Sequence, residues 1–237
     1  MIGDRSSRRD QLTTLEREIT NCRKCPRLVR YREEVASTKR RAYRDWTYWG
    51  RPVPAFGDPN ADLVLIGLAP GAHGANRTGR MFTGDRSGDF LYDQLYRAGF
   101  ANQPHSKQPG DGLVLKDALI SAAVRCAPPD NKPLPEEIRN CLPYLDQELA
   151  LIRPRAVLAL GGIALNAYLD LLKKKGLIQS RAAYRFSHGA SFVLPAGLPR
   201  LFAAYHPSQQ NTQTGRLTPD MFAAVLRQIR KYLERVA

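Results

Sequence analysis

Apolar residues recur along the chain in two alternating modes. Short aliphatic runs at 62–67, 118–124, 156–160 and 201–204 are too brief for helices and too continuous for half-exposed strands. They predict strands buried on both faces. Between them lie segments with helical spacing. Residues 8–20 place Leu12, Leu15 and Ile19 on one face, and 89–99 turn Phe90, Leu91, Leu95 and Tyr96 inward with Gly99 as C-cap. Residues 135–151 open on Glu136 and Glu137, while 163–173 close on KKKG, charges that suit the two poles of a helix. A last helix covers 218–235. Strands alternating with helices define an α/β chain with a mainly parallel sheet covered on both faces.

The remaining stretches are irregular. Cys22 and Cys25 bracket a turn after the first helix, and Pro26 ends it. A second helix can run to about Arg44, after which prolines 52, 54 and 59 force an extended excursion. Tyr43, Trp46, Tyr48 and Trp49 cluster there; they either pack this arm onto the domain or stack on bases. Residues 177–199 read as loop with a weak hairpin. Without repeats or a linker, residues 1–237 read as one domain, with residues 1–60 as an N-terminal arm.

Composition narrows the partner. The 237 residues carry 36 Lys and Arg against 22 Asp and Glu, a formal charge of +14. Such an excess favours a polyanion, nucleic acid or an acidic membrane surface. No apolar run reaches transmembrane length, and MIGDRSSRRD lacks the apolar core of a secretory signal. The nearest membrane-binding candidate, FAAVLRQIRKYLERV, has spacing suited to a core. The expectation is an intracellular, cytoplasmic and nucleoid-associated monomer that binds nucleic acid and no membrane.

Candidate chemistry gathers where such sheets place it, at the carboxyl ends of the strands. GLAPGAHGANRTGRMFTGD follows the first strand directly, and its glycines allow close backbone approach. Loop 67–85 ends with Phe82 and Asp85, loop 125–133 holds Asn131, and loop 205–216 holds His206, Asn211 and Arg216. An aromatic face, edge-reading hydrogen-bond donors and a carboxylate are the parts of a base-handling site. Each has a plainer reading as well: Asp85 can cap the following helix, Phe82 can be core, and His206 can be structural.

Cys22, Cys25, Cys126 and Cys141 form a second set. In a reducing compartment four thiolates suit zinc or an iron–sulfur cluster. The wide spacing of the second pair favours a structural [4Fe–4S] cluster over zinc.

These motifs together resemble the uracil-DNA glycosylase superfamily, specifically its family-5 (type B, iron–sulfur) branch. GLAPGAHGANRTGRMFTGD is similar to that family's first motif, YHPSQQNTQTGRL to its second, and RCAPPDNKP with the four cysteines to its cluster region. The resemblance implies a three-layer α/β/α sandwich on a central four-stranded, mainly parallel sheet. It also implies a [4Fe–4S] cluster and monofunctional removal of uracil from double-stranded DNA in base excision repair. By the same resemblance Asp85 is the main catalytic carboxylate, assisted by Asn131 and His206. Gly71, Ala72, His73, Phe82 and Ala122 would hold the base, and Arg77, Arg80, Asn211 and Arg216 the DNA. Family-4 enzymes carry an acidic pair after their first Pro-Gly, where this chain has Ala72 and His73, and a uracil-reading Asn where it has Ala122. The departure implies a broader pocket that also accepts hypoxanthine and other deaminated or modified bases. The competing reading is a non-catalytic, metal-stabilised nucleic-acid-binding module.

Overall fold

A computed structural model describes residues 2–195 and 197–236. Its sheet has the order β1-β3-β2-β4-β6-β5. The four inner strands are β2 (Leu63–Gly67), β3 (Ala118–Ala122), β4 (Ala156–Leu160) and β6 (Arg200–Ala204). They pair in parallel, as expected. Four strands is nevertheless an undercount. The two-residue strands β1 (Phe56–Gly57) and β5 (Ser191–Phe192) add antiparallel edges at either side. Neither is long enough to leave a periodic trace, and β1 sits inside the proline-rich excursion. Position 196, within the 177–199 loop, lies outside the described residues.

Alternation along the strands splits the core into two layers. Leu63, Leu65, Ile120, Leu158 and Phe202 face α4 (Arg86–Arg97) and α8 (Pro219–Arg235). Val64, Ile66, Leu119, Val157 and Leu201 face α5 (Pro135–Ile152) and α6 (Gly162–Lys174). α1 (Ile2–Thr20) lies on the outside of this second layer, with Leu15 and Ile19 against Tyr144 of α5. Helices on both faces make the three-layer sandwich.

Three boundaries differ from the sequence reading. α4 begins at Arg86 rather than near Phe90, because Asp85 caps it by accepting the Gly88 N–H at 3.0 Å. Its inward stripe is accordingly Leu91, Tyr92 and Leu95, and Tyr96 is 47% exposed. β3 stops at Ala122, although the N–H groups of Ala123 and Val124 still bond the carbonyls of Gly67, the last residue of β2, and Leu68 just beyond it. α2 (Pro26–Thr38) ends short of Arg44, where Lys39 takes a φ of 55° and breaks the helix.

Beneath the sheet's carboxyl edge sits a buried polar cluster. Arg125 forms an ion pair with Glu148, and the Ser121 hydroxyl donates to the same carboxylate at 2.7 Å. All three side chains are buried, so the pair fixes where the chain leaves β3.

Candidate active site

The carboxyl ends of β2, β3 and β6 open into one cleft of about 1260 Å³. That exceeds the roughly 300–1,000 Å³ usual for small-molecule pockets. Gly71, Ala72, His73, Phe82, Asp85, Ala122, Asn131 and His206 all line it. The three loops singled out in the sequence thus converge.

The glycines act here by shape. A Cβ on Gly74 would lie 2.0 Å from Asp85 Oδ2, and one on Gly67 would lie 3.0 Å from the Phe82 ring. Only a bare backbone lets the carboxylate and the aromatic wall sit where they do. A Cβ on Gly88 would meet the Phe82 carbonyl at 1.7 Å, so the first turn of α4 packs directly on the loop. Phe82 itself has a φ of 52°, and Asp130 and Asn131 have φ of 52° and 56°. Backbone held in this sparsely populated region at three points around one cleft is a mark of a functional site.

Asp85 both caps α4 and faces the cleft. Desolvation raises its pKa above the ordinary carboxylate value, opposed chiefly by the Gly88 N–H. His206 is half-buried, tilted against Phe82 with ring centroids 5.6 Å apart. Burial lowers its pKa to about 4, so at neutral pH it is an uncharged imidazole. Among the described residues its ring makes no hydrogen bond, which leaves both nitrogens for a ligand. The His73 ring is held differently, by Tyr48 Oη at 3.1 Å from Nδ1, and its pKa is also lowered, first by burial. The backbone N–H groups of Ala72 and His73 donate to no other group among the described residues. Asn131 stands exposed on the rim.

The expected DNA-contacting residues divide. Arg77 and Arg80 are buried, at 3% and 8% exposure, and are withdrawn as phosphate ligands. Arg80 pairs with Asp111 at 2.7 Å and donates to Ser106 and Thr83. Arg77 donates from Nε to the His73 carbonyl and from Nη2 to the Gly84 carbonyl, both at 2.8 Å. Its guanidinium lies 4.0 Å from the Tyr43 ring centre and 4.1 Å from that of Trp46. Asn211 is also turned inward, donating to the His206 carbonyl at 2.8 Å. Arg216 is exposed, its guanidinium 4.8 Å from the Tyr205 ring centre.

The 205–216 loop contributes further lining residues to which the sequence assigned no role. Ser208, Gln209 and Gln210 reach the cleft from the short helix α7 (Gln209–Gln213), whose cap is the Ser208 hydroxyl. A serine ahead of a polar run is the signal that could have found it. (The remaining short helix, Ala75–Thr78, is numbered α3.) His188 is a structural histidine, stacked on Tyr205 and accepting its backbone N–H at 3.1 Å.

The four cysteines line a second, smaller pocket shared with Arg32 and Arg125. Cys22 and Cys25 lie between α1 and α2, Cys126 follows β3, and Cys141 is on α5. Among the described residues no three His, Cys, Asp or Glu side chains close on a single metal-ion position. Arg32 Nη1 is 2.9 Å from Cys126 Sγ, while Arg32 Nε and Arg125 Nε and Nη1 are buried without acceptors. Burial pushes the Cys126 thiol up to about 11 and Cys141 up to about 12.

A family model of the uracil DNA glycosylase superfamily matches residues 54–230. The chain belongs to that superfamily. Within it, the chain is 55% identical over 214 residues to a type-5 uracil-DNA glycosylase of Thermus thermophilus, covering 90% of this chain and 94% of that protein. It is 47% identical over 209 residues to a type-5 enzyme of Pyrobaculum aerophilum, covering 88% of each chain. Similarity to a type-4 uracil-DNA glycosylase of the same organism is lower, 32% over 165 residues, covering 69% of this chain and 67% of that protein.

The state of His206 is directly measurable. Its imidazole should titrate in the folded protein with a midpoint near 4. A lowered histidine pKa means that the unfolded chain binds the proton more tightly. Stability should therefore fall as pH drops from the unfolded value, about 6.5, through 4. Two-dimensional NMR of the ring resonances reads the midpoint, and a value near 6.5 would contradict the lowered pKa of this ring.

Proposed function

We propose that this chain is a monofunctional DNA glycosylase that extrudes uracil from DNA and hydrolyses its N-glycosidic bond. The observation that carries the reading is the Asp85 carboxylate and the Phe82 ring seated in one cleft against glycines that admit nothing larger. The similarity to type-5 uracil-DNA glycosylases supports it.

An extruded base would stack on Phe82. The free amides of Ala72 and His73 and an N–H of neutral His206 would hold its oxygens. As the C1′–N bond breaks, its electron pair passes to the base and positive charge grows on the sugar. The donors stabilise the base as an anion. Asp85, ionised, stabilises the sugar cation and orients the water that adds to C1′, and Asn131 supports that water from the rim. The 205–216 loop would enter the minor groove and occupy the gap. None of this requires a Schiff-base lysine, so no strand-cleaving lyase step is part of the proposal.

We also assign the cysteine pocket to a structural [4Fe–4S] cluster. All four sulfurs line one pocket without meeting at a single-ion point, and unpaired guanidinium donors surround it, as an anionic thiolate cluster wants. Loading would displace the thiol protons that burial holds in place. The group would tie the arm to β3 and α5. Protein purified without oxygen should be brown and contain equal iron and acid-labile sulfide, both lost in Cys141→Ser. A colourless protein carrying zinc would overturn the assignment.

Asp85→Ala should lower single-turnover release of uracil by about 10²- to 10⁴-fold while duplex binding persists. In the native protein, release should decline as pH falls through a midpoint above the ordinary carboxylate value, because Asp85 must be ionised. Near-native release by Asp85→Ala would remove the carboxylate from the reaction.

Ala122, buried at the end of β3, lines the cleft and offers no group that reads a base edge. We propose that this opens the pocket to hypoxanthine and other deaminated bases. Duplexes carrying uracil or hypoxanthine, followed by alkali cleavage, should both be cut by the native protein. Ala122→Asn should favour uracil over hypoxanthine by roughly tenfold or more, the worth of one added hydrogen bond in a buried site. An unchanged ratio would refute Ala122 as the source of breadth.

A further inference from the structure

With Arg77 and Arg80 buried, the charge that draws DNA to the cleft must come from other residues. Arg86 on the cleft lining and Arg216 are exposed, and the arm adds a cluster. After α2, Lys39 reverses the chain, and a 3₁₀ turn over Arg41–Tyr43 follows. Lys39 Nζ donates to the Arg44 carbonyl at 3.1 Å, closing the segment on itself. Arg40, Arg41 and Arg44 are exposed, and among the described residues none of the three forms an ion pair. Between positions 39 and 45 the only acid is Asp45.

Two contacts fix this segment beside the reacting groups. The Arg40 N–H donates to Tyr48 Oη at 3.4 Å, and that hydroxyl bonds the His73 ring. Tyr43 and Trp46 adjoin the Arg77 guanidinium, which in turn holds the carbonyls of His73 and Gly84 on either side of the Asp85 seat. Arg40 and Tyr43 themselves line the cleft. Arg40 is therefore at the mouth, Arg41 and Arg44 follow it in the same ordered turn, and none of the three is ion-paired among the described residues.

We propose that Arg40, Arg41 and Arg44 form a phosphate-binding edge for the DNA backbone beside the extruded nucleotide. The proposal rests on the glycosylase reading for its substrate. Planar guanidinium forks suit phosphate oxygens, and each phosphate they neutralise releases condensed counterions. Because the segment is anchored before DNA arrives, little ordering cost is left to binding.

The test is the salt dependence of binding to an undamaged duplex, which needs no catalysis. Replacing Arg40, Arg41 and Arg44 together by Gln should weaken binding at least about tenfold at 0.1 M salt. It should also flatten the slope of log K against log salt by about two to three. The same charge change at Lys173, Lys174 and Lys175, exposed at the far end of α6, should leave the slope unaltered. Equal effects from the two triple variants would mean that only net charge matters and would overturn the proposal, as would an unchanged slope in the arginine variant. Uracil release by the native protein is assayed on the same duplex carrying one uracil. Its absence would refute the glycosylase reading while leaving the comparison of slopes intact.

Discussion

One buried guanidinium holds the glycine-rich loop and the N-terminal arm together. Arg77 donates two hydrogen bonds to the loop and lies about 4 Å from two ring centres of the arm. The rings stand at 81° to one another, so the cation sits in the corner they form, while its planar fork reaches two carbonyls that a single lysine ammonium would not span in the same way. Without it the arm's aromatics would lose the cation they share. The carbonyls flanking Gly74 and Asp85 would lose their common donor. The Asp85 carboxylate occupies space that a Cβ on Gly74 would fill, so a shift of either carbonyl bears on where it sits.

Electrostatics in this molecule is sorted by depth. Buried arginines serve the protein: Arg77 and Arg80 shape the loop, Arg125 answers Glu148, and Arg32 reaches Cys126. Exposed, unpaired arginines are left for an outside anion. The same +14 charge thus does two kinds of work, and sequence position alone does not separate them.

The parallel core was legible because its strands are continuous aliphatic runs, and β4 coincides with its predicted span. Convergence of the three loops was legible because a parallel sheet sends every strand's carboxyl end to one edge. Arg77 and Arg80 misled because a glycine-rich loop with arginines looks alike whether the guanidiniums point out or fold back. Their partners, Asp111, Ser106 and the arm's rings, are distant in sequence and were not predictable from spacing. β1, β5 and α7 were missed because two to five residues cannot establish a period. The aromatic cluster was read as either packing or stacking, and here Tyr43 and Trp46 pack on Arg77 while Trp49 lies against Gly79.

The packing of α1 also has a consequence for biosynthesis. Its apolar stripe, Leu15 and Ile19, rests on Tyr144 of α5, and Leu12 joins the layer formed by α5 and α6. α1 lies more than a hundred residues ahead of α5 in the chain, so this contact forms only after that length has been synthesised. At cellular elongation rates of about 5–20 residues per second, that is a wait on the order of ten seconds. During that interval no net charge holds the segment to ribosomal RNA, since α1 carries Arg5, Arg8, Arg9 and Arg17 against Asp4, Asp10, Glu16 and Glu18. Its thinly apolar face, three residues in about two turns, keeps such a nascent arm soluble at the expense of folding late.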